Sequence, residues 1–343
     1  MSKINKTVSR SLVALAIATS FTVSADENKH EKHEAEEFSF ALWGDMPYAK
    51  NSDGPKIQAL IDDINASDVK FTIFDGDIKD GSSRCDDVQY TDAVDRFNSF
   101  KKPMVYVPGD NEWTDCHRTN NGGYNNLERL EHIRQIMFSS LDSFGQKKMK
   151  LEHQEGYVEN TRWTRGNVEF LGLNVPGSNN NKVSSDNECT KKSARSLADC
   201  AADNLEYAAR DTANIQFVKD SFQKAKDNNS RGIVITMQAD PSFDLPETEA
   251  FDERTQIPGY EGFTEFLKVL EEETNNFTGE VVMVHGDVHF YKVDKPLHDQ
   301  AHLVKNFTRV ETFGSPNANW IKVSVHPESR NLFTFESMMV KGN

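Results

Sequence analysis

The stretch Phe38–Asp45 reads FSFALWGD, and its pattern recurs four more times along the chain. A short apolar segment, which reads as a buried strand, ends in a polar turn that carries side chains able to bind a cation. The segments and their turns are Phe38–Trp43 with Gly44-Asp45, Lys70–Phe74 with Asp75-Gly76-Asp77, Pro103–Val107 with Pro108-Gly109-Asp110-Asn111, Arg231–Met237 with Gln238-Ala239-Asp240, and Val281–Val284 with His285-Gly286-Asp287. We therefore expect five strands whose ends present polar groups.

Segments with the periodicity of an α-helix lie between these predicted strands. Apolar residues recur at spacings of three and four in Gly54–Asn65, Asp86–Phe100, Asn126–Ser139, Asp203–Asp227 and Tyr260–Thr274, and we interpret their apolar faces as core packing. Strands that alternate with helices predict a largely parallel sheet covered on both faces.

The last part of the chain shows a different pattern, because strand-like segments follow one another without a helix. They are Val288–Val293, Thr308–Phe313, Trp320–His326 and Leu332–Phe335, and Val168–Val175 also reads as a strand. We predict an α/β fold with a second, more antiparallel sheet. The polar segment Ser178–Ala202 is predicted to be a surface insertion.

Residues 1–25 have the three parts of a secretory signal peptide. Lys3, Lys6 and Arg10 precede the apolar run Ser11–Val23, and Val23-Ser24-Ala25 fits a cleavage site. A membrane anchor is the alternative, but the run is shorter than the roughly 20 residues that a membrane span needs. We expect an exported protein, periplasmic or secreted, that is cleaved near Ala25 and has no stable membrane insertion.

Charge and composition limit the partners of the mature chain. The segment 26–37 reads as a charged flexible tail, in which His30 and His33 could bind stray metal, and residues 38–343 read as one domain. The formal net charge of the full chain, −15, becomes still more negative without the three basic residues of the predicted signal peptide and argues against nucleic acid as a partner. A small phosphorylated substrate held by metal ions remains compatible with it, and the sequence does not predict the oligomeric state.

Candidate metal ligands fall at the carboxyl ends of the predicted strands, where open α/β sheets bind ligands. They are Asp45, Asp77, Asn111, Gln238, Asp287 and His289. Taken alone, each of these residues is more simply interpreted as an ordinary turn or strand residue. Their ordered series predicts a site for one or two divalent cations, which would orient a phosphate and activate a water molecule.

The four cysteines indicate disulfide bonds, because an even number occurs in a chain predicted to be exported. Three pairings are possible, and we predict Cys85–Cys116 and Cys189–Cys200. The first bond would join two loops of the predicted site, and the second would close the polar insertion. A cysteine zinc site is disfavoured because the chain has no closely spaced cysteine pair.

The ordered turns resemble the sequence blocks of the calcineurin-like metallophosphoesterases. That family has D-x-H, G-D-x-x-D, G-N-H-[DE], a lone His after a strand, and G-H-x-H. The corresponding segments here are Asp45-Met46-Pro47, Gly76–Asp80, Gly109–Glu112, Met237-Gln238 and Gly286–His289. The likeness covers about Phe38–Val293. The chain looks more narrowly like a divergent bacterial exported subgroup with the blocks G-D-x-P-Y, G-D-N-E-W-T-D-C and H-G-D-x-H.

This resemblance implies a fold and a set of residue roles. The fold would be a four-layer αββα sandwich of two mixed β-sheets flanked by helices. Asp77 would bridge two metals, Asp45 and His289 would bind the first, and Asn111 would bind the second. Asp80 would be a carboxylate that orients neighbouring groups.

Several positions depart from the family pattern. Pro47 stands where the first block has a histidine, and Tyr48 could reach into the site instead. Gln238 replaces the lone histidine, with Asp240 as a nearby rival, and Asp287 replaces the first histidine of the last block. The change from imidazole to oxygen ligands favours Mn²⁺, Mg²⁺ or Ca²⁺ over zinc.

The proton donor and the phosphate-binding groups are predicted from the same loops. Glu112 stands where the family has its proton-donating histidine, and His117 lies a few residues further along that loop; both are candidate general acids. Arg84 and Arg118 are candidates to bind a phosphate oxygen, with surface ion pairing as the alternative.

The predicted function is hydrolysis of a phosphomonoester or phosphodiester by metal-activated water. The lost histidines motivate an alternative, a non-catalytic exported protein that binds a metal or ligand and retains the phosphoesterase fold. A serine hydrolase is disfavoured, because the chain has no G-x-S-x-G motif.

Overall fold

The structure is a computed structural model that describes Met1 and residues 36–48, 50–243, 259–298 and 303–343. The predicted signal peptide, the cleavage site near Ala25 and most of the predicted tail, with His30 and His33, lie outside the described residues. No helix within the described ranges combines the length and the apolar character that crossing a bilayer requires.

The first sheet contains five strands in the order β12-β11-β1-β2-β3. They are β1 (Phe38–Trp43), β2 (Thr72–Phe74), β3 (Met104–Tyr106), β11 (Trp320–Val325) and β12 (Phe333–Met338). The strands β1, β2 and β3 run parallel, whereas β11 is antiparallel to both β1 and β12. Three parallel strands therefore end at the same edge of this sheet.

The second sheet contains seven strands in the order β4-β5-β6-β7-β8-β10-β9. They are β4 (Glu152–Gln154), β5 (Tyr157–Arg165), β6 (Val168–Gly172), β7 (Gly232–Thr236), β8 (Glu280–His285), β9 (Lys292–Asp294) and β10 (Phe307–Glu311). The strands β6, β7, β8 and β10 are parallel, and the others pair antiparallel. Both sheets are therefore mixed.

Alternation of side chains along β1 shows how the layers pack. Phe38, Phe40 and Leu42 belong to a buried cluster that also contains Phe170 and Val282 of the second sheet. Ala41 and Trp43 of β1 belong to a separate cluster shared with helices on the outer face of the first sheet. A third cluster joins the second sheet to its own helices. The predicted four-layer αββα sandwich is confirmed.

The helices flank the two sheets. Helices α1 (Lys50–Ala66), α2 (Asp87–Asn98) and α3 (Asn126–Met137) pack on the first sheet, and α6 (Leu197–Asp227) and α7 (Thr264–Asn275) pack on the second. A left-handed turn, labelled α4 (Gly177–Asn180), and the short helix α5 (Asp186–Thr190) precede α6.

Helix α6 begins earlier than the sequence pattern predicted. A capping box starts it, because the Ser196 side chain accepts a hydrogen bond from the backbone of Asp199 and the Asp199 carboxylate accepts one from the backbone of Ser196. The last residues of the predicted insertion, Ser178–Ala202, are therefore helical.

The last strands differ from the predicted arrangement. They do not form a separate antiparallel sheet, because β10 joins the second sheet beside β8 while β11 and β12 extend the first. The strand predicted at Val288–Val293 is reduced to β9. Asp287 and His289 have φ angles of 74° and 69°, which an extended strand does not tolerate.

Both predicted disulfide bonds are confirmed. Cys85 bonds to Cys116, with 5.8 Å between the Cα atoms, and Cys189 bonds to Cys200 at 5.9 Å. The first bond joins the segment before α2 to the loop after β3. The second closes the segment that contains α5.

Candidate functional site

Polar loops follow the parallel strands of both sheets and meet at one edge of the molecule. Asp45 follows β1, Asp77 follows β2 and Asn111 follows β3. Gln238 and Asp287 follow β7 and β8, and Asp287 donates a backbone hydrogen bond to Asp45 Oδ1 at 3.1 Å. The structure therefore brings the candidate ligands from the two sheets together.

The hydroxyl group of Tyr48 lies at the centre of four of these side chains, a group here called the Tyr48 cluster. It donates a hydrogen bond to Asp77 Oδ2 at 2.7 Å and accepts one from Asn111 Nδ2 at 3.1 Å. It lies 3.2 Å from His289 Nε2 and 3.3 Å from Asp45 Oδ1. Tyr48, which the sequence offered only as a replacement for the missing histidine, thus contacts every member of the cluster.

The backbone is strained where it carries the candidate ligands. Asp45, Asp77, Asp287 and His289 all have positive φ, between 50° and 74°. This left-handed conformation costs a residue other than glycine about 1–3 kcal/mol, and such strain concentrates at functional sites. Four of the six candidate ligands have this left-handed conformation. The interactions that place their side chains at this edge therefore offset the cost of the unfavourable backbone conformation.

Two glycines let the loops approach one another closely. A Cβ atom at Gly286 would overlap Asp45 Oδ2, and one at Gly109 would overlap Asp77 Oδ1. Only glycine allows the backbone to pass this close to the carboxylates. The glycines of the sequence blocks therefore fix the positions of Asp45 and Asp77.

Buried carboxylates give the site an excess of negative charge. Burial raises the pKa of Asp77 well above its usual range, and the charges of Asp110, Glu112 and Asp45 raise it further. Burial, followed by the charges of Asp110 and Asp45, also raises the pKa of Asp287. A bound cation would relieve this repulsion.

Lys79 is a buried cation beneath the cluster that sequence reasoning missed. Its side chain is 1 % exposed and donates a hydrogen bond to the backbone oxygen of Asp80 at 3.0 Å. Burial lowers the pKa of this ammonium group, while Asp77 and Glu112 raise it. Lysine within a turn motif is normally a surface residue, so the burial of Lys79 was not predictable from its local sequence.

His289 is oriented as a potential ligand. Its Nδ1 atom lies 3.0 Å from the carbonyl oxygen of Ser315, so the neutral ring donates from Nδ1 and carries its lone pair on Nε2. That atom faces Tyr48 and lies 3.4 Å from Asp45 Oδ1. Burial lowers the pKa of His289, but the hydrogen bond and charge of Asp45 outweigh it, and the net shift is upward.

The amide oxygen of Gln238, a predicted metal ligand, is engaged by another group, and its role as a ligand stays a prediction. Its Oε1 atom accepts a hydrogen bond from the backbone nitrogen of Gly177 at 2.5 Å. Because that N–H needs an acceptor, Nε2 must face the other way, 3.3 Å from both Asp110 Oδ1 and Asp287 Oδ1. Gln238 therefore links two carboxylates as a donor.

The donor set fits one cation better than two. Among the described residues, no three His, Cys, Asp and Glu side chains are already gathered so that they could hold a metal ion. In the Tyr48 cluster, Asp45 Oδ2 is buried without a hydrogen-bond partner, and Asp77 and His289 lie beside the same hydroxyl. These groups suit a hard or borderline cation if the hydroxyl becomes a ligand or moves aside. The amide nitrogens of Asn111 and Gln238, which cannot bind a cation, face the region where a second cation would lie.

Glu112 and Asp80 both accept hydrogen bonds from neighbouring loop residues. Glu112 is 0 % exposed, and its Oε1 accepts hydrogen bonds from the backbones of Gly109 and Asp77 and from the Tyr106 hydroxyl. These hydrogen bonds connect the loop of Gly109 to the loop of Asp77, and the role of Glu112 as a general acid stays a prediction. Asp80 accepts hydrogen bonds from Ser82 and Ser83 within its own turn, and its role in orienting a ligand also stays a prediction.

The remaining predicted residues lie around the cluster. His117 Nδ1 is 2.6 Å from the carbonyl oxygen of Thr114, and burial lowers its pKa to about 4. Arg84 is exposed and pairs with Asp86 at 3.1 Å. Arg118 lines a cavity beside the cluster together with His117.

Two further residues join this cavity to the cluster. The Ser178 hydroxyl lies 2.8 Å from Asp110 Oδ2 and 2.7 Å from Asp115 Oδ1. Asp110 was visible in the sequence as part of the Gly-Asp-Asn-Glu turn. Ser178 carried no such signal, because its backbone takes a left-handed conformation, with φ 48°, that the sequence did not predict.

Comparisons with known proteins identify the fold. No family model matches the chain, and a comparison with curated proteins finds no match either. Among solved structures, the chain is similar to a purple acid phosphatase from yellow lupin (Lupinus luteus) seeds, with 12 % identity and a TM-score of 0.51 over 90 % of this chain and 52 % of that one. It is also similar to PhoD (12 % identity, TM-score 0.49, 85 % of this chain and 64 % of that one) and to a 5'-nucleotidase from Candida albicans (11 %, 0.43, 88 % and 50 %).

The chain therefore spans about half to two thirds of the length of these structures. At this low identity the likeness to the lupin enzyme establishes a shared fold, two mixed sheets flanked by helices, and nothing about the reaction.

Proposed function

We propose that this protein is an exported hydrolase of a small phosphoester, and that the reaction depends on a divalent cation such as Mn²⁺, Mg²⁺ or Ca²⁺. The observation that carries the proposal is the convergence of Asp45, Asp77, Asn111 and His289 on the Tyr48 hydroxyl, within 2.7–3.3 Å. The shared fold with phosphoesterases is consistent with it.

The chemistry of the cluster explains why a cation is needed. A phosphate group that approached so many buried carboxylates alone would be repelled. Asp45, Asp77 and His289 are the groups that would hold a cation, which supplies charge neutralisation and polarises the phosphoryl group. Water then adds its oxygen to phosphorus while the ester P–O bond breaks and the alcohol departs with a proton.

The rest of the site keeps these groups in place. Glu112 Oε1 accepts hydrogen bonds from Gly109 at 2.8 Å and from the backbone of Asp77 at 3.2 Å, which ties the loop after β3 to the loop after β2. The Cys85–Cys116 disulfide joins the same two loops. Rigid support of this kind is what a catalytic constellation needs.

The test is turnover of an aryl phosphomonoester and the matching aryl phosphodiester with each of the three cations. We expect cation-dependent turnover in the wild-type protein and a loss of at least about 100-fold in Asp77→Ala. Asp220→Ala, an exposed substitution on α6, is the control and should keep full activity. Turnover no greater than that of Asp77→Ala with all three cations would refute the proposal.

A non-catalytic binding protein is the second candidate. The orientation of Gln238 favours it, because an amide donor lies between Asp110 and Asp287 where a second cation would need an oxygen ligand. Calorimetry separates the two candidates. Tight Mn²⁺ binding without turnover of either ester supports the non-catalytic protein.

Export is supported by the two disulfide bonds, because such bonds persist in oxidising compartments. We expect the mature N-terminus near Asp26. Mass spectrometry of protein expressed with its full N-terminal sequence measures this directly, and an uncleaved intracellular product would contradict it.

A further inference from the structure

A large cavity beside the Tyr48 cluster has an unusual charge. Its volume is about 910 Å³, and its lining includes five cationic side chains, Arg118, Lys182, Lys191, Lys192 and Arg195. Asp115 and Glu188 are the carboxylates in the same lining. In a chain with a formal net charge of −15, this local excess of positive charge marks a place for an anion. It is here called the basic cavity.

Lys191 and Lys192 are the cations most available to a ligand. Lys182 Nζ instead lies 3.5 Å from the carbonyl oxygen of Glu261 and 5.4 Å from the ring centroid of Tyr207. Arg118 pairs with Asp115 at 2.5 Å, and Arg195 pairs with Asp203 at 3.0 Å. Lys191 and Lys192 are exposed, and neither forms an ion pair with another described residue. An anion in the basic cavity would therefore meet two ammonium groups that other carboxylates do not neutralise.

The wall that carries these lysines is fixed in position. The Cys189–Cys200 disulfide closes the segment, and backbone hydrogen bonds run from Thr119 to the Lys192 oxygen at 3.0 Å and from Ala194 to the His117 oxygen at 2.9 Å. Lys192 itself has a φ of 55°, which is a strained conformation for a residue other than glycine. The cavity is therefore preorganised and is not a chance gap between loops.

The basic cavity and the Tyr48 cluster share a wall. Arg118 Nη2 donates a hydrogen bond to Ser178 Oγ at 3.3 Å, and Ser178 contacts Asp110 at 2.8 Å. Asp110 in turn accepts a hydrogen bond from Gln238. A Cβ atom at Gly81 would contact both Asn111 of the cluster and Arg118 of the cavity. The basic cavity and the Tyr48 cluster are therefore neighbours.

We propose that the substrate is a small bisphosphate: the phosphoester that reacts lies at the Tyr48 cluster, and a second phosphate group binds Lys191 and Lys192 in the basic cavity. The inference rests on the proposed function. Cavities of roughly 300–1,000 Å³ hold whole small molecules, so this one is too large for a single phosphate. The acidic surface of the chain disfavours a nucleic acid polymer as the source of the second phosphate.

The test measures binding of alkane bisphosphonates with three to six carbons and of the matching alkane monophosphonates, by calorimetry with Mn²⁺ present. Their C–P bonds resist hydrolysis, so the result does not depend on turnover. We expect the wild-type protein to bind the best bisphosphonate at least about tenfold more tightly than its monophosphonate. Lys191→Glu/Lys192→Glu should remove this preference, and Lys191→Gln/Lys192→Gln should reduce it.

The matched control is Lys147→Glu/Lys148→Glu, an adjacent exposed pair outside the basic cavity with the same change in charge. It should keep the preference. Equal binding of both phosphonates by the wild-type protein, or the same preference in all variants, would overturn the inference. If the protein prefers the bisphosphonate but turns over no ester, the proposed hydrolysis is wrong and the anion site in the basic cavity is supported. If the protein turns over an ester but shows no such preference, the anion site is wrong and the proposed hydrolysis is supported.

Discussion

Removal of the Cys85–Cys116 disulfide should destabilise the protein more than removal of Cys189–Cys200. The bonded cysteines are 31 residues apart in the first pair and 11 in the second. A bond that closes a longer loop removes more entropy from the unfolded chain. The loop-closure relation gives losses of about 4 kcal/mol for Cys85→Ala/Cys116→Ala and about 3 kcal/mol for Cys189→Ala/Cys200→Ala.

The two pairs should also differ in their effect on cation binding. The first bond holds the loop of Asn111 against the segment that follows Asp77, and Cys85 and Cys116 are both fully buried there. Loss of such supporting contacts weakens a metal site by about 10–100-fold. The second bond lies in the wall of the basic cavity, so its loss should leave Mn²⁺ affinity within about threefold of the wild-type value.

Urea unfolding of the three proteins measures the stabilities, and calorimetric titration with Mn²⁺ measures the affinities. Each pair serves as the control for the other, because both variants lack one buried disulfide. The reasoning is refuted if the two variants lose Mn²⁺ affinity equally. It is also refuted if Cys189→Ala/Cys200→Ala is the less stable protein.

Three further predictions follow from single positions. Gly286→Ala should displace Asp45 and weaken Mn²⁺ binding at least about tenfold, which calorimetric titration measures. Burial raises the pKa of Asp211 to about 6, so the native state keeps a proton that the unfolded chain has lost. Asp211 by itself should therefore lower the free energy of unfolding by about 2 kcal/mol between pH 4 and pH 6, and Asp211→Asn should show a decrease that is smaller than the wild-type decrease by that amount in urea unfolding across that range. Tyr48→Phe removes the hydroxyl at the centre of the cluster and should lower the free energy of unfolding by about 1–3 kcal/mol without added cation; an unchanged unfolding midpoint would contradict it.

Much of the fold was predictable because its elements are local patterns. The apolar run Phe38–Trp43 became β1 with the same bounds, and the helix predicted at Asn126–Ser139 became α3. Strand pairing was not predictable in the same way. β1 pairs with β11, where Phe38 lies opposite Val325, and no local pattern encodes a partner so distant in the chain.

The same distinction between local patterns and distant contacts applies to the candidate site. The turns that carry Asp45, Asp77 and Asn111 were identified by their place after strands, although their roles as ligands remain predictions. The orientation of Gln238 was not predictable, because it depends on one backbone N–H of Gly177. The burial of Glu112 and Lys79 depends in the same way on loops from different strands that close over them.

The sequence by itself determined the strands, the helices, the polar turns at the strand ends and the even set of cysteines, because each of these follows from neighbouring residues. Tertiary structure alone decided that Tyr48 stands at the centre of the cluster and that Lys191 and Lys192 line a cavity beside it. Those features arise where segments distant in the chain meet, and the direction of a hydrogen bond or the burial of a charge exists only after they have packed together.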